Sequence, residues 1–206
     1  MTTYIVAATC ILSIIDLQSK PVFDKLIFNP YTVQYKDDWY RLFTSGLIHA
    51  NWPHLFINMF VLYSFGSTVE EYYKFFFGAL GTYYFLLLYI GGIVVSILPT
   101  YYKQRENPDY NALWASGAVS SVLFTFILFK PLQPICLYGV FCLPGIVMGL
   151  AYLGYEFYMD KKGKDNINHG AHFWGAVFGV ALTIFLKPSI AEYFMEQVMN
   201  GLPFGN

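Results

Sequence analysis

Three separated apolar stretches of this sequence each open on groups able to do chemistry. One opens His49-Ala-Asn-Trp-Pro-His54-Leu-Phe-Ile-Asn58, another Trp114-Ala-Ser116-Gly117-Ala-Val-Ser120-Ser121, and a third His169-Gly-Ala-His172-Phe-Trp-Gly175, with Gly179 following. A serine is a poor nucleophile until an adjacent base takes its proton, and a neutral imidazole is the usual base. Ser116 and His172 are such a pair wherever a fold brings them together. Acyl transfer also needs hydrogen-bond donors for the developing oxyanion. His54, Asn58 and the backbone N–H groups around Gly117 are candidates. No carboxylate stands near these three openings, so the sequence points to a Ser-His dyad rather than a triad.

The elements that must position these groups follow from composition. Of 206 residues, 56% are hydrophobic and 12% charged, against about 25% charged in soluble domains. Mean hydropathy is +0.46. Aromatics make up 20%, with 18 Tyr and 4 Trp, and such rings favour membrane interfaces. A net charge of -1 excludes a nucleic-acid partner, which would call for a basic surface. A membrane span needs about 20 mostly apolar residues. Six stretches approach this, near 2–17, 54–73, 75–98, 116–129, 142–158 and 168–186. The first lacks a basic leader and a small-residue cleavage site, so it reads as a retained span. The fold class expected is an all-α membrane protein, one six-helix bundle over 1–187, with an interfacial or disordered tail over 188–206.

Between the spans lie a polar-aromatic stretch (18–53), a polar loop (99–113), a proline-containing re-entrant or interfacial connection (130–141) and a hydrophilic hairpin (160–166). Cys10, Cys136 and Cys142 are odd in number and contain no CxxC pair. They read as small buried apolar residues, with neither a disulfide framework nor a zinc site indicated.

Six spans impose parity. Spans two, four and six run parallel, so their N-terminal ends meet one membrane face. His54 and Asn58 are four apart and share a helical face, as do His172, Gly175 and Gly179. Small residues at four-residue spacing let membrane helices approach closely. Ser116 with Ser120, and Gly117 with Ser121, make such pairs on span four. Mating with the Gly175–Gly179 face brings Ser116 and His172 within reach.

The order His49-x4-His54-x3-Asn58, a Ser-Gly opening a later span, then Ala171-His172-x2-Gly175-x3-Gly179 resembles the rhomboid intramembrane serine proteases. Trp39-Tyr40-Arg41 resembles the Trp-x-Arg motif of that family's first loop, and Gly66-Ser-Thr-Val-Glu70 its Gly-x-x-x-Glu. The similarity covers about Trp39 to Leu186. It implies Ser116 as nucleophile, His172 as general base, and His54 and Asn58 lining the oxyanion hole with the Gly117 backbone. His49 would hold the entry to span two, Trp39 and Arg41 would anchor the first loop, and Glu70 would make a structural bond. It implies a hydrolase of transmembrane protein substrates in the lipid bilayer, with no cofactor and no metal, in a bacterial inner (plasma) membrane. The sequence departs from the family twice. The usual Gly-x-Ser-Gly reads Trp114-Ala-Ser116-Gly117, and Ser120 stands where an aromatic often stacks on the base.

Other readings are a non-catalytic relative that binds transmembrane helices, and a haem or metal protein using His49, His54, His169 and His172. The latter needs histidines facing one another at mid-membrane depth. The sequence lacks H-E-x-x-H, and no inverted repeat suggests a transporter. The resemblance puts the N-terminus in the cytoplasm and the site outside. The positive-inside rule runs against it, because nine of the twelve Lys and Arg fall on the site-bearing side: Lys20, Lys25, Lys36 and Arg41, then Lys103 and Arg105, then Lys161, Lys162 and Lys164.

Overall fold

The computed structural model describes residues 1–137, 140–163 and 168–201 and is mostly helical. Helix α1 runs Thr2–Gln18. The stretch expected to be a loop folds into three short helices, α2 (Lys20–Leu26), α3 (Pro30–Lys36) and α4 (Arg41–Thr44). Proline in the first turn of α2 and α3 suits a position whose N–H has no helical partner. The Asn29 side chain caps α3 by accepting from the Thr32 N–H at 2.9 Å.

Helix α5 spans Trp52–Phe77, opened by Pro53 and by Asn51 Oδ1 accepting from the His54 N–H at 2.9 Å. It ends at Gly78, whose φ of +56° favours glycine. Helix α6 (Gly81–Gln104) then folds back along α5. At the bend a Cβ on Gly81 would fall 2.5 Å from Lys74 Cα. Helix α6 was expected to stop near Leu98 but continues through Pro99. Proline removes one backbone donor there, and Tyr101 O–H donating to Gln34 Oε1 at 2.7 Å ties the extension to α3.

Helix α7 (Ala115–Phe129) is central, with thirteen of its fifteen residues buried. A helix apolar on all sides belongs inside a bundle. Strands β1 (Pro134–Leu137) and β2 (Phe141–Pro144) pair antiparallel in the connection expected to be re-entrant or interfacial. Cys136 stands opposite Cys142 in the register, and the two form a disulfide. This corrects the expectation of buried free thiols: both cysteines are exposed, and only Cys10 remains free. Helix α8 covers Gly145–Lys162 and α9 His169–Leu186. The tail forms α10 (Ser189–Gly201), which lays Ile190 into the core and Tyr193 against Phe76, 5.7 Å between rings. Residues 164–167, in the expected hydrophilic hairpin, and 202–206, in the expected tail, lie outside the described residues.

By length and hydropathy two stretches qualify to cross a membrane, Trp52–Gln104 (53 residues, the α5–α6 hairpin) and His169–Leu186; α1 and α7 are apolar but shorter. The charged last turn of α8 keeps it below that hydropathy. Outward-facing rings support a lipid environment. Phe56 is 70% exposed, Phe75 80% and Phe185 82%, an apolar exterior that water would not tolerate over so wide a surface.

Candidate active site

The site is built on a seam of small residues between α7 and α9. A Cβ on Gly175 would fall 2.9 Å from the carbonyl carbon of Gly117 and closer still to its oxygen. A Cβ on Gly179 would fall 2.8 Å from the carbonyl carbon of Ser121. Backbone therefore lies on backbone, which only glycine permits. On the other side of α7, Gly117 is pressed by α6, with Ser96 Cβ 2.6 Å from where a Cβ would sit.

This seam fixes the depth of the two side chains that matter. Ser116 stands in the first turn of α7 and His172 in the first turn of α9, and Ser116 Oγ lies 2.7 Å from His172 Nε2. Both are partly buried. His54 and Asn58 lie on α5, where Asn58 Nδ2 donates to the His54 carbonyl one turn back, at 3.0 Å. The His54 ring meets His49 edge-on at 5.0 Å.

His49 is fully buried just before α5. Ser13 O–H donates to the Leu47 carbonyl at 3.1 Å, and Ser13 Oγ is 2.8 Å from His49 Nδ1. With the serine proton committed to Leu47, Nδ1–H of His49 donates to Oγ. Burial, and then the neighbouring His54, push the His49 pKa down to about 3. The ring is thus neutral at ordinary pH.

The other motif residues organise the surroundings. Arg41 donates from Nε to Asp38 at 2.9 Å and from Nη1 to the carbonyls of Asp24 (2.9 Å) and Ile27 (2.7 Å). It ties α2 to α4. Trp39 is half exposed, 6.4 Å from the Tyr101 ring. Glu70 accepts from the backbone N–H (2.8 Å) and hydroxyl (3.0 Å) of Thr2 and from Lys74 (2.7 Å). A carboxylate there suits the N-terminus of α1.

Both sequence departures have structural answers. Trp114 caps α7 with φ -132° and ψ 8°, a backbone any residue adopts. Its ring is fully buried edge-on to Phe28 at 5.6 Å, and the Trp114 backbone N–H donates to the Ser45 carbonyl at 3.1 Å. Ser120 provides no aromatic, but Tyr152 of α8 does. Tyr152 lies over His172 at 6.2 Å and 26°, and its hydroxyl is 3.4 Å from Ser120 Oγ.

The expectation that no carboxylate is near is corrected. Glu156, one turn after Tyr152, puts Oε1 3.1 Å from His172 Nδ1 and Oε2 2.6 Å from His169 Nδ1. The approach to His172 is bent out of hydrogen-bond alignment. The signal was present in the sequence: in the expected six-span order, an acidic residue at the end of span five falls on the same face as the starts of spans two, four and six. The ligand atoms of Glu156, His169 and His172 lie within 4.8 Å of one another, close enough to hold a metal ion.

The family model for the rhomboid domain matches residues 36–189, which include Ser116, His172 and Glu156. The chain is 32% identical over 146 residues to "Putative rhomboid protease YdcA" of Bacillus subtilis, covering 71% of this chain and 66% of that one. It is 30% identical over 174 residues to "Rhomboid-like protein 11, chloroplastic" of Arabidopsis thaliana, covering 77% and 56%. Against "RHOMBOID-like protein 12, mitochondrial" of the same plant it is 26% identical over 152 residues, covering 66% and 43%. The chain spans about half the length of the curated relatives it matches. The family match, carried by the same helices that build the Ser116–His172 contact, establishes that this chain is a membrane protein belonging to the rhomboid family.

Proposed function

We propose that this chain is an intramembrane serine endopeptidase that hydrolyses peptide bonds in or near transmembrane segments of membrane proteins. The 2.7 Å contact between Ser116 Oγ and His172 Nε2 carries this reading. In it, α1, α5, α6, α7, α8 and α9 are six crossings of one domain over residues 1–187.

Ser116 Oγ attacks the scissile carbonyl while His172 Nε2 takes its proton. The C–N bond breaks as His172 returns that proton to the leaving amine, leaving an ester on Ser116. Water then attacks the ester, gives a proton to His172, and releases the acid as Ser116 recovers its proton. Donors for the oxyanion come from the Gly117 backbone, His54 and Asn58. A neutral His49 beside His54 adds no positive charge there. The bilayer is assigned as a bacterial inner (plasma) membrane, and the chemistry calls on no cofactor.

A second reading, a non-catalytic protein that binds transmembrane helices, draws on Asn58, one of whose two amide N–H groups donates to its own helix. A fluorophosphonate probe on the detergent-solubilised protein separates the two. Labelling lost in Ser116→Ala and His172→Ala supports the protease, whereas an unlabelled folded protein supports the helix binder.

A further inference from the structure

We propose that Glu156 is the positioning carboxylate of this site, so that Ser116 and His172 act as a Ser-His-Glu triad whose third member, with Tyr152, comes from α8. The proposal rests on the protease reading.

Glu156 is 3% exposed and is one of three buried residues on α8, the other two being Gly145 and Gly149. A buried carboxylate is costly unless its oxygens find donors. Here each oxygen faces one imidazole, His169 at 2.6 Å and His172 at 3.1 Å. His172 Nδ1 is sealed from solvent and has no aligned hydrogen-bond partner among the described residues, so Glu156 is the group placed to accept a hydrogen bond from it. The bend in that contact closes with a small turn of the ring, and catalytic hydrogen bonds commonly tighten only once substrate binds. The His169 contact holds the other oxygen and so fixes the carboxylate plane.

Chemistry gives the contact its purpose. A base that accepts at Nε2 must carry its own proton on Nδ1, and an acceptor beside Nδ1 selects that tautomer. When Ser116 gives up its proton, an imidazolium forms in a partly buried place, and the Glu156 charge opposes its cost. Tyr152 completes the support by covering the ring face, in the space left by the small Ser120.

Glu156, His169 and His172 could instead hold a metal ion. A metal on Nδ1 of His172 would force the proton onto Nε2, where it faces Ser116 and abolishes the base. A metal site and a working dyad therefore exclude each other at this ring.

The test follows fluorophosphonate labelling rates of the full chain against pH, for wild type, Glu156→Gln and Glu156→Asp. The groups facing His172 are His54 on α5, Ser116 on α7, Tyr152 and Glu156 on α8, and His169 on α9. Loss of the carboxylate makes the imidazolium less favourable. Glu156→Gln is expected to label about 100-fold more slowly, with its acid limb moved to lower pH, and Glu156→Asp is expected to recover part of the rate. Wild-type rate and an unmoved limb in Glu156→Gln overturn the proposal while leaving the protease intact. A folded wild type that does not label overturns both. Labelling lost on chelation and restored by zinc also overturns it. A measurement on the wild type stands whatever the fate of the variants: imidazole nitrogen NMR should find His172 protonated at Nδ1, and a ring protonated at Nε2 overturns the proposal.

Discussion

Gly175 lies so close to the Gly117 carbonyl that no side chain fits between α9 and α7. The same seam sets the Ser116–His172 distance, so stability and activity are coupled through one contact. Gly175→Ala is expected to cost about 1–3 kcal/mol by overpacking and to slow fluorophosphonate labelling more than tenfold. Gly175→Leu should abolish labelling. A Leu variant that labels normally would show that the seam does not position the pair.

Restoring the glycine that the family carries at position 114 should harm this protein. Trp114 is fully buried against Phe28, and its backbone has no need of glycine. Trp114→Gly empties that space, at a cost of about 3–5 kcal/mol. Thermal unfolding measures it, and an unchanged midpoint would mean that the ring contributes nothing to the core.

Arg41 joins α2 and α4 through a planar fork that touches Asp38 and two backbone carbonyls. Lysine has the charge without the fork. Arg41→Lys and Arg41→Ala are both expected to lose about 2 kcal/mol. Full retention of stability in the lysine variant would reduce the role of Arg41 to its charge.

The neutral His49 makes stability depend on pH. Its folded pKa of about 3 lies below the ordinary histidine value. Between the two the unfolded chain binds the extra proton, so stability is full above about pH 7 and falls as pH drops below about 6.5. The slope from this one group is about 1.4 kcal/mol per pH unit. Comparing unfolding of wild type and His49→Gln from pH 7 to pH 5 isolates it, and parallel profiles would refute the assignment.

The Ser116–His172 contact was legible in the sequence because four-residue small spacing and helix parity are both visible there. The Gly117–Ser121 face meets Gly175–Gly179 as that spacing requires. Glu156 was not legible as a partner because the other polar groups of the site stand where spans begin, whereas it stands near the end of span five. Tyr152 was one tyrosine among eighteen, and nothing local marks a ring that stacks across to another helix. Helices α2, α3 and α4 have seven residues or fewer, too short for periodicity to declare itself. The four-residue strands around Cys136 and Cys142 failed to register for the same reason.

That small hairpin bears on which way the molecule sits. It joins the C-terminal end of α7 to the N-terminal end of α8, which in the proposed six-span arrangement is the membrane face opposite Ser116. Disulfides persist where thiols are kept oxidised and are rare where glutathione and thioredoxin keep them reduced. A lasting Cys136–Cys142 bond therefore puts the hairpin on the oxidising side and the site on the reducing side. The nine cations of the site-bearing loops side with the disulfide, against the orientation that family resemblance implies. In sealed membranes an impermeant reductant followed by an impermeant maleimide should label these two cysteines from the oxidising side. A reporter fused after Asn206 should read as extracytoplasmic.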